Sequence, residues 1–282
     1  MERRVVRRSQ AKFNAPDGTR LLRRAWLPRE ARRAVVLVHG LAEHSGRYDH
    51  VGAWLSTRDC AVHAYDHRGH GQSEGPRGHL GAFAELLDDL EAFLQLVRRE
   101  HPDLPLVLVG HSMGGLVTTA LLAERKPDVA CAVVSGPALE VPEHVSRGRR
   151  RAARWLRRLA PRLRMAAGLA PENLSRDPAV VRGYVEDPLV FRRVTVSLAS
   201  ELLDAVTRTA AGAFQIQVPM LLLHGESDRL CPPRGSRSFH GQLRGPGHRL
   251  RIYPQLRHEI FNEPEHEQVL EDLLAWLVER EA

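Results

Sequence analysis

Residues Leu106 to Gly115 read LVLVGHSMGG, an aliphatic run that ends on a small residue and then a serine framed by glycines. The run predicts a buried strand, the Gly110-His111-Ser112-Met113-Gly114 segment a sharp turn, and Leu116 to Lys126 a helix stopped at Pro127. So tight a strand-to-helix bend needs Gly110 and Gly114, which remove side chains that would collide across it. Ser112 is thereby held up at the strand's end. The amide of Met113 opens the helix, so an oxygen turning negative beside Ser112 meets a backbone donor and the positive end of a helix dipole. This is the setting of a nucleophile. The competing interpretation, a structural glycine turn with a buried serine, shares the local pattern, and the strand before and helix after weigh against it.

Around this turn, 282 residues are enough to bury a large core, and one α/β domain with an insertion is expected. The basic amino terminus MERRVVRRSQ has no apolar stretch behind it, and no window of about 18 apolar residues occurs, so neither a standard secretion signal nor a membrane span is expected. Three scattered cysteines, Cys60, Cys131 and Cys231, do not make a disulfide framework and fit a reducing, cytoplasmic setting. The net charge of +7 is concentrated: Arg147 to Arg164 holds nine arginines and no acid, more than the whole chain's excess. The near-neutral remainder, without aromatic interleaving or a known module, argues against nucleic acid as a partner.

In chain order, Val5–Phe13 and Thr19–Trp26 predict an antiparallel edge joined by the turn Ala15-Pro16-Asp17-Gly18. Ala34 to Val38 is a central parallel strand that runs into His39-Gly40-Leu41-Ala42-Glu43-His44. The loop after the third strand supplies the second oxyanion donor in serine hydrolases of this kind, which places the amide of Leu41 beside that of Met113. Tyr48–Thr57 reads as a helix and Cys60–Tyr65 as another buried strand. His63, His67 and His70 cross from that strand into a glycine-rich loop; with no second ligand cluster to complete a site, no metal is expected and no cofactor is implied. Phe83 to Val97 repeats apolar residues at helical spacing, and Val129 to Ser135 makes a further strand.

The strand rhythm then stops until Pro219 to His224. The expected architecture is a mostly parallel α/β sheet with helices on both faces, a core of residues 1–137 and 214–282, and a helical lid at 138–213 inserted after the sixth strand. An insertion there covers the carboxyl ends of the strands, where an open α/β sheet keeps its site. Within it Ala152, Trp155, Leu156, Leu159 and Leu163 share one helical face, and Arg150, Arg151, Arg154, Arg157, Arg158 and Arg162 the other. One reading is an interfacial helix on an anionic membrane or micelle surface. The other has Trp155 and the leucines packed down and the arginines as a solvated outer face.

A serine hydroxyl needs a base within hydrogen-bond reach and a third group to orient that base. In this fold the acid and then the histidine follow the serine, each on a loop leaving a strand. Among fifteen histidines, His258 is the one on the loop that leaves the final strand at Arg249–Tyr253; His111 is expected to point into the core. Asp228 is the acid in the right place, with Glu226 its nearest rival. Cys231, three residues after Asp228, is expected within reach of thiol-directed inhibitors. Pro264 starts a closing helix over Glu265–Glu279.

HGLAEHSGRY at 39–48, DHRGHGQSEG at 66–75, GHSMGG at 110–115, YVEDPL at 184–189 and HGESDRL at 224–230 together resemble the monoglyceride lipase family of α/β hydrolases, its bacterial branch included. The resemblance spans nearly the whole chain. It implies the α/β-hydrolase fold and cofactor-free cleavage of monoacylglycerols to fatty acid and glycerol beneath a mobile apolar lid. It further implies that Glu43 and Arg47 stand near the glycerol headgroup and Tyr184 faces the same pocket from the lid, although Arg47 paired with Glu43 would also simply brace the loop. Two positions depart from the family: Leu41-Ala42 replaces smaller residues, and Phe261 stands where animal members carry a second histidine. A broader carboxylesterase or lysophospholipase has the same triad. A non-catalytic membrane binder on the same fold is the alternative from another class.

Overall fold

The computed structural model describes residues 6–141 and 145–280. Two antiparallel strands, β1 (Arg7–Asn14) and β2 (Arg20–Leu27), open the chain, and Val5 of the predicted first strand lies outside the described residues. There follow β3 (Arg33–Val38), α1 (Asp49–Ser56), β4 (Cys60–Tyr65), α2 (Ala84–Glu100), β5 (Leu106–His111), α3 (Met113–Glu124) and β6 (Cys131–Ser135). Residues in β3, β4, β5 and β6 are buried along their whole length, as continuous aliphatic runs covered on both faces must be. Leu87, Leu90, Val117 and Leu121 of α2 and α3 pack on one face, while Leu55, Val269 and Leu273 of α1 and the closing helix pack on the other.

Between β6 and β9 (Met220–Gly225) lie α4 (Arg147–Leu159), β7 (Arg164–Ala166), α5 (Pro178–Glu186), β8 (Arg193–Thr195) and α6 (Val196–Ala211). The chain ends with α7 (Pro233–His240), β10 (Arg249–Tyr253) and α8 (His266–Val278). The main sheet has the order β1-β2-β4-β3-β5-β6-β9-β10, antiparallel at β1-β2-β4 and parallel from β4 onward. Pairs such as Val38↔Gly110 and His111↔Ser135 bring the carboxyl ends of neighbouring strands level. The loops that leave them therefore share one rim.

Two elements depart from the sequence reading. The inserted segment is not helical and irregular throughout: β7 and β8 form an antiparallel ribbon, Arg164↔Thr195 to Ala166↔Arg193. Three residues per strand are too few to show an alternating pattern. In α4 the packed-down alternative is reversed. Trp155 and Leu159 are 64% and 63% exposed, while Arg154 grips Asp204 through Nε and Nη2 at 2.7–3.0 Å, Arg157 pairs with Glu201, and Arg150 reaches Thr207 Oγ1 at 2.8 Å. Glu201 and Asp204, three residues apart on α6, present one acidic face, and opposite charge draws Arg154 and Arg157 to it, while Arg151 and Arg158 stay exposed. No helix among the described residues is long and apolar enough to cross a membrane.

Candidate active site

Ser112 sits between β5 and α3 at φ 53°, ψ −116°, a left-handed strained conformation held by its surroundings. A Cβ on Gly110 would come within 2.5 Å of the Gly114 carbonyl oxygen, and one on Gly114 within 2.0 Å of the Val38 carbonyl oxygen. Neither position accepts a side chain. The Ser112 amide donates to the Ser135 carbonyl at 3.0 Å, which ties the bend to β6. Among the described residues, the amides of Leu41 and Met113 have no acceptor within the protein. They are free to receive an oxyanion.

Asp228 follows β9 and is buried, whereas its rival Glu226 is exposed. Oδ1 accepts from the amides of Leu230 at 2.8 Å and Cys231 at 2.9 Å, and Oδ2 accepts from His258 Nδ1 at 2.7 Å and His224 Nε2 at 3.1 Å. Burial pushes this carboxyl up, but the His258 charge and the bonds from both histidines outweigh it and hold it well below the usual range. His258 moves the other way. Burial disfavours its charged form, yet Asp228 and then Glu259 overcome that and raise it above 6.5. With Nδ1 donating to Asp228, Nε2 is the nitrogen left for the serine side. No hydrogen bond joins it to Ser112 Oγ in this conformation, a contact that commonly tightens only with substrate.

Gly136, at φ 50°, closes the back of this pair: a Cβ there would stand 3.2 Å from His258 Nδ1 and 3.0 Å from its carbonyl oxygen. His111 does not simply point into the core. Its ring lies 4.8 Å from the His258 ring and bonds Ser135 Oγ at 3.3 Å, and burial followed by His258 pushes it down to about 3. Cys231 does lie against Ser112, but burial and the Asp228 charge push its thiol far up. It is therefore a poor nucleophile.

Glu43, Arg47 and Tyr184 come together beside the serine, and the bracing interpretation describes their contacts. Glu43 Oε1 accepts from the Gly40 amide at 2.6 Å and the Tyr48 hydroxyl at 2.7 Å. Arg47 Nη1 donates to Glu43 Oε2 at 2.7 Å, and both Nη1 and Nη2 reach Glu259 at 2.6–2.7 Å, with the guanidinium 4.9 Å above the Tyr184 ring. Glu259 is drawn down to about 2, since the Arg47 charge and hydrogen bonds overcome its burial; burial raises Glu43 instead. The recess bounded by Gly40, Glu43, His111, Tyr184 and Glu259 holds only about 10 Å³, the threshold for a single water. On the other side of Ser112 a cavity of about 590 Å³ runs past Leu116, Leu198, Leu202 and Val206 to Met165 and is mainly apolar. This is the volume of a small-molecule site.

His224, Gly136 and Glu259 have no site role in the sequence reading. Glu259 adjoins His258 and Gly136 follows β6, but their contacts arise only through space. His224 offers no local signal, because its Nε2 meets the Cys231 carbonyl at 2.8 Å and Asp228 Oδ2 at 3.1 Å only where the loop after β9 turns back over it.

A strained serine at a strand-to-helix bend, with an acid and a histidine arriving from later strand ends of one parallel sheet, defines an α/β hydrolase. The family model described as serine aminopeptidase, S33, matches residues 29–265. The chain is 37% identical to the monoacylglycerol lipase of Mycolicibacterium smegmatis, covering 96% of this chain and 97% of the relative. It is 34% identical to the mouse monoglyceride lipase, over 94% and 88% of the two chains. The crystal structure of Paleococcus ferrophilus monoacylglycerol lipase superposes with a TM-score of 0.81 at 33% identity, covering 98% of this chain and 99% of that one. The chain belongs to the monoacylglycerol lipase family of α/β hydrolases.

Proposed function

We propose that the protein hydrolyses monoacylglycerols to fatty acid and glycerol by acyl transfer in two steps. Ser112 attacks the ester carbonyl as His258 takes its proton, Asp228 steadies the imidazolium, and the amides of Leu41 and Met113 hold the oxyanion. His258 then gives that proton to the departing glycerol oxygen as its bond to the carbonyl carbon breaks, which leaves the acyl group on Ser112 Oγ with its chain in the apolar cavity; water activated by His258 attacks this ester and releases the fatty acid. The observation that carries this reading is the 2.7 Å Asp228–His258 bond beside the strained Ser112, at the floor of a mainly apolar 590 Å³ cavity. Loss of one oxyanion donor typically lowers turnover about 100- to 1,000-fold, so the two amides carry weight comparable to the side chains.

Residues 138–213 form the lid in this proposal. It supplies Leu198, Leu202 and Val206 to the cavity wall, and the Glu259 amide bonds the Leu174 carbonyl at 2.8 Å. Glu43, Arg47 and Tyr184 meet the glycerol headgroup once the recess opens. Contact with an anionic membrane or micelle surface belongs to the same proposal. Trp155, Leu159 and Leu163 form an exposed apolar ridge, and Arg158 and Arg162 have no acidic partner among the described residues. A broader carboxylesterase or lysophospholipase is the second reading, favoured by the nearly closed headgroup recess and by Phe261. Turnover on matched monoacyl-, diacyl- and triacylglycerols and a lysophospholipid of one chain length decides, with Ser112→Ala as blank. A strong monoacylglycerol preference supports the first reading; comparable rates on all four support the second.

A further inference from the structure

The loop that carries the Leu41 amide is strained and held from outside. Ala42, fully buried, sits at φ 64°, a left-handed value that is costly for a residue with a Cβ. Gly40 lies directly against the nucleophile: a Cβ there would stand 3.2 Å from Ser112 Cβ and 2.8 Å from Glu43 Oε1. Two side chains hold the backbone groups of this glycine. Its amide donates to Glu43 Oε1 at 2.6 Å, and its carbonyl accepts from His39 Nδ1 at 2.8 Å.

The Gly40 carbonyl and the Leu41 amide belong to one planar trans peptide unit, in which C=O and N–H point in opposite directions. Whatever fixes the carbonyl therefore fixes the amide. His39 is held in turn: its Nε2 accepts from the His67 amide at 2.9 Å, and its own carbonyl accepts from His67 Nε2 at 3.1 Å. A carbonyl only accepts and an amide only donates, so the His39 ring is neutral with its proton on Nδ1. Burial, followed by the charge of His70, pushes His39 well below 6.5, and this tautomer persists at neutral pH. At 1% exposure, water does not replace either bond.

We propose that His39 is a positioning residue for the second oxyanion donor: through Nδ1–H it locks the Gly40–Leu41 peptide with the Leu41 N–H turned toward the oxygen that becomes negative beside Ser112. This rests on the acyl-transfer reading above, which gives that amide its role. Both ring nitrogens are engaged by the backbone, so His39 acts through the loop and not as an acid or base. A carbonyl that accepts a hydrogen bond also makes the N–H of its own peptide a stronger donor, so the contact polarises the amide as well as aiming it. Glu43 braces the other side of Gly40 but also holds Tyr48 and Arg47, which makes His39 the more selective place to probe.

Asparagine places its Nδ2 where Nδ1 of histidine stands, and glutamine places its terminal group where Nε2 stands. The test compares His39→Asn, which keeps a donor for the Gly40 carbonyl, with His39→Gln, which keeps only the contact to His67. Turnover of a soluble short-chain ester and melting temperature are measured for each, together with inhibition by an alkyl trifluoromethyl ketone, whose adduct with Ser112 carries a negative oxygen. His39→Asn is expected to keep kcat within about fivefold, and His39→Gln to lower kcat and weaken the ketone about 100-fold each, with KM within about twofold. The acid limb of the pH–rate profile, set by His258, stays in place in both. Equal activity of the two variants, or losses that track melting temperature and spare the ketone, overturns the proposal. If His39→Gln does not fold, nitrogen-15 NMR of the unaltered chain decides: the His39 Nδ1 proton, assigned by its loss in His39→Asn, moves downfield when the ketone binds, and an unmoved resonance overturns the proposal. Absence of turnover above the Ser112→Ala blank in the unaltered chain overturns the acyl-transfer reading and this proposal with it, whereas turnover with equal variants overturns this proposal alone.

Discussion

Asp228 gathers four hydrogen bonds onto two oxygens, and that concentration sets how the proposed catalytic base titrates. His258 is raised above 6.5 and must be neutral to accept the serine proton, so kcat/KM on a soluble ester falls as pH drops through that raised value. An acid limb in the pH–rate profile centred below 6.5 would contradict this. Asp228→Asn is expected to lower kcat by about 10⁴-fold with the fold intact, and Glu226→Gln to leave it within about twofold. Gly136→Ala adds both a strained positive φ and a Cβ 3.2 Å from His258 Nδ1, so kcat should fall about 100-fold and the melting temperature by a few degrees. At this scale the sequence exposes Ser112, Asp228 and His258 through their places after strands. It hides His224 and Gly136, whose contributions are contacts without a motif.

Among the elements, α4 is the one whose composition permits opposite packings. Amphipathic spacing is legible in the sequence, but which face turns inward depends on α6, and the Glu201–Asp204 pair settles it through Arg154 and Arg157. The exposed ridge then predicts that Trp155→Ser with Leu159→Ser weakens co-sedimentation with anionic vesicles several-fold. Activity on a soluble short-chain ester should stay unchanged. Equal recovery of the double variant and the unaltered chain would remove the ridge from the membrane proposal. Of the other three tryptophans, Trp26 and Trp276 are buried and Trp54 is half-buried beneath the Arg58 guanidinium, so most of the blue shift of tryptophan emission on vesicle binding should also be lost in that variant. The β7–β8 ribbon is the reverse case, too short for any periodic signal and fixed only by pairing.

For the whole molecule, the sheet order was legible where runs of aliphatic residues alternate with amphipathic helices, because burial on both faces leaves a composition that few other folds need. The contact of His63 on β4 with His101, 2.9 Å between their Nε2 atoms and 38 residues apart, was not, since it depends on where α2 ends against β4. Acid stability follows from the buried carboxylates. Glu259, held near 2 against an ordinary 4.5, and Asp228, held below 3.8, contribute stability that is present above those ordinary values and lost as pH falls through the depressed ones. Glu43, raised by burial, pulls the other way. Urea midpoints should therefore drop between about pH 4.5 and 2, and Glu259→Gln should flatten that slope; an unchanged slope would contradict the assignment. The sheet itself has two open margins, β1 with Arg7, Arg8 and Lys12 and β10 with Arg249 and Arg251. Arg8, Arg249 and Arg251 are paired with Asp49, Glu279 and Asp272, whereas Arg7 and Lys12 have no acidic partner among the described residues. Two copies approaching along β1 therefore set cation against cation, so strand addition there is opposed at low ionic strength, and salt, by screening that repulsion, is what would bring them together.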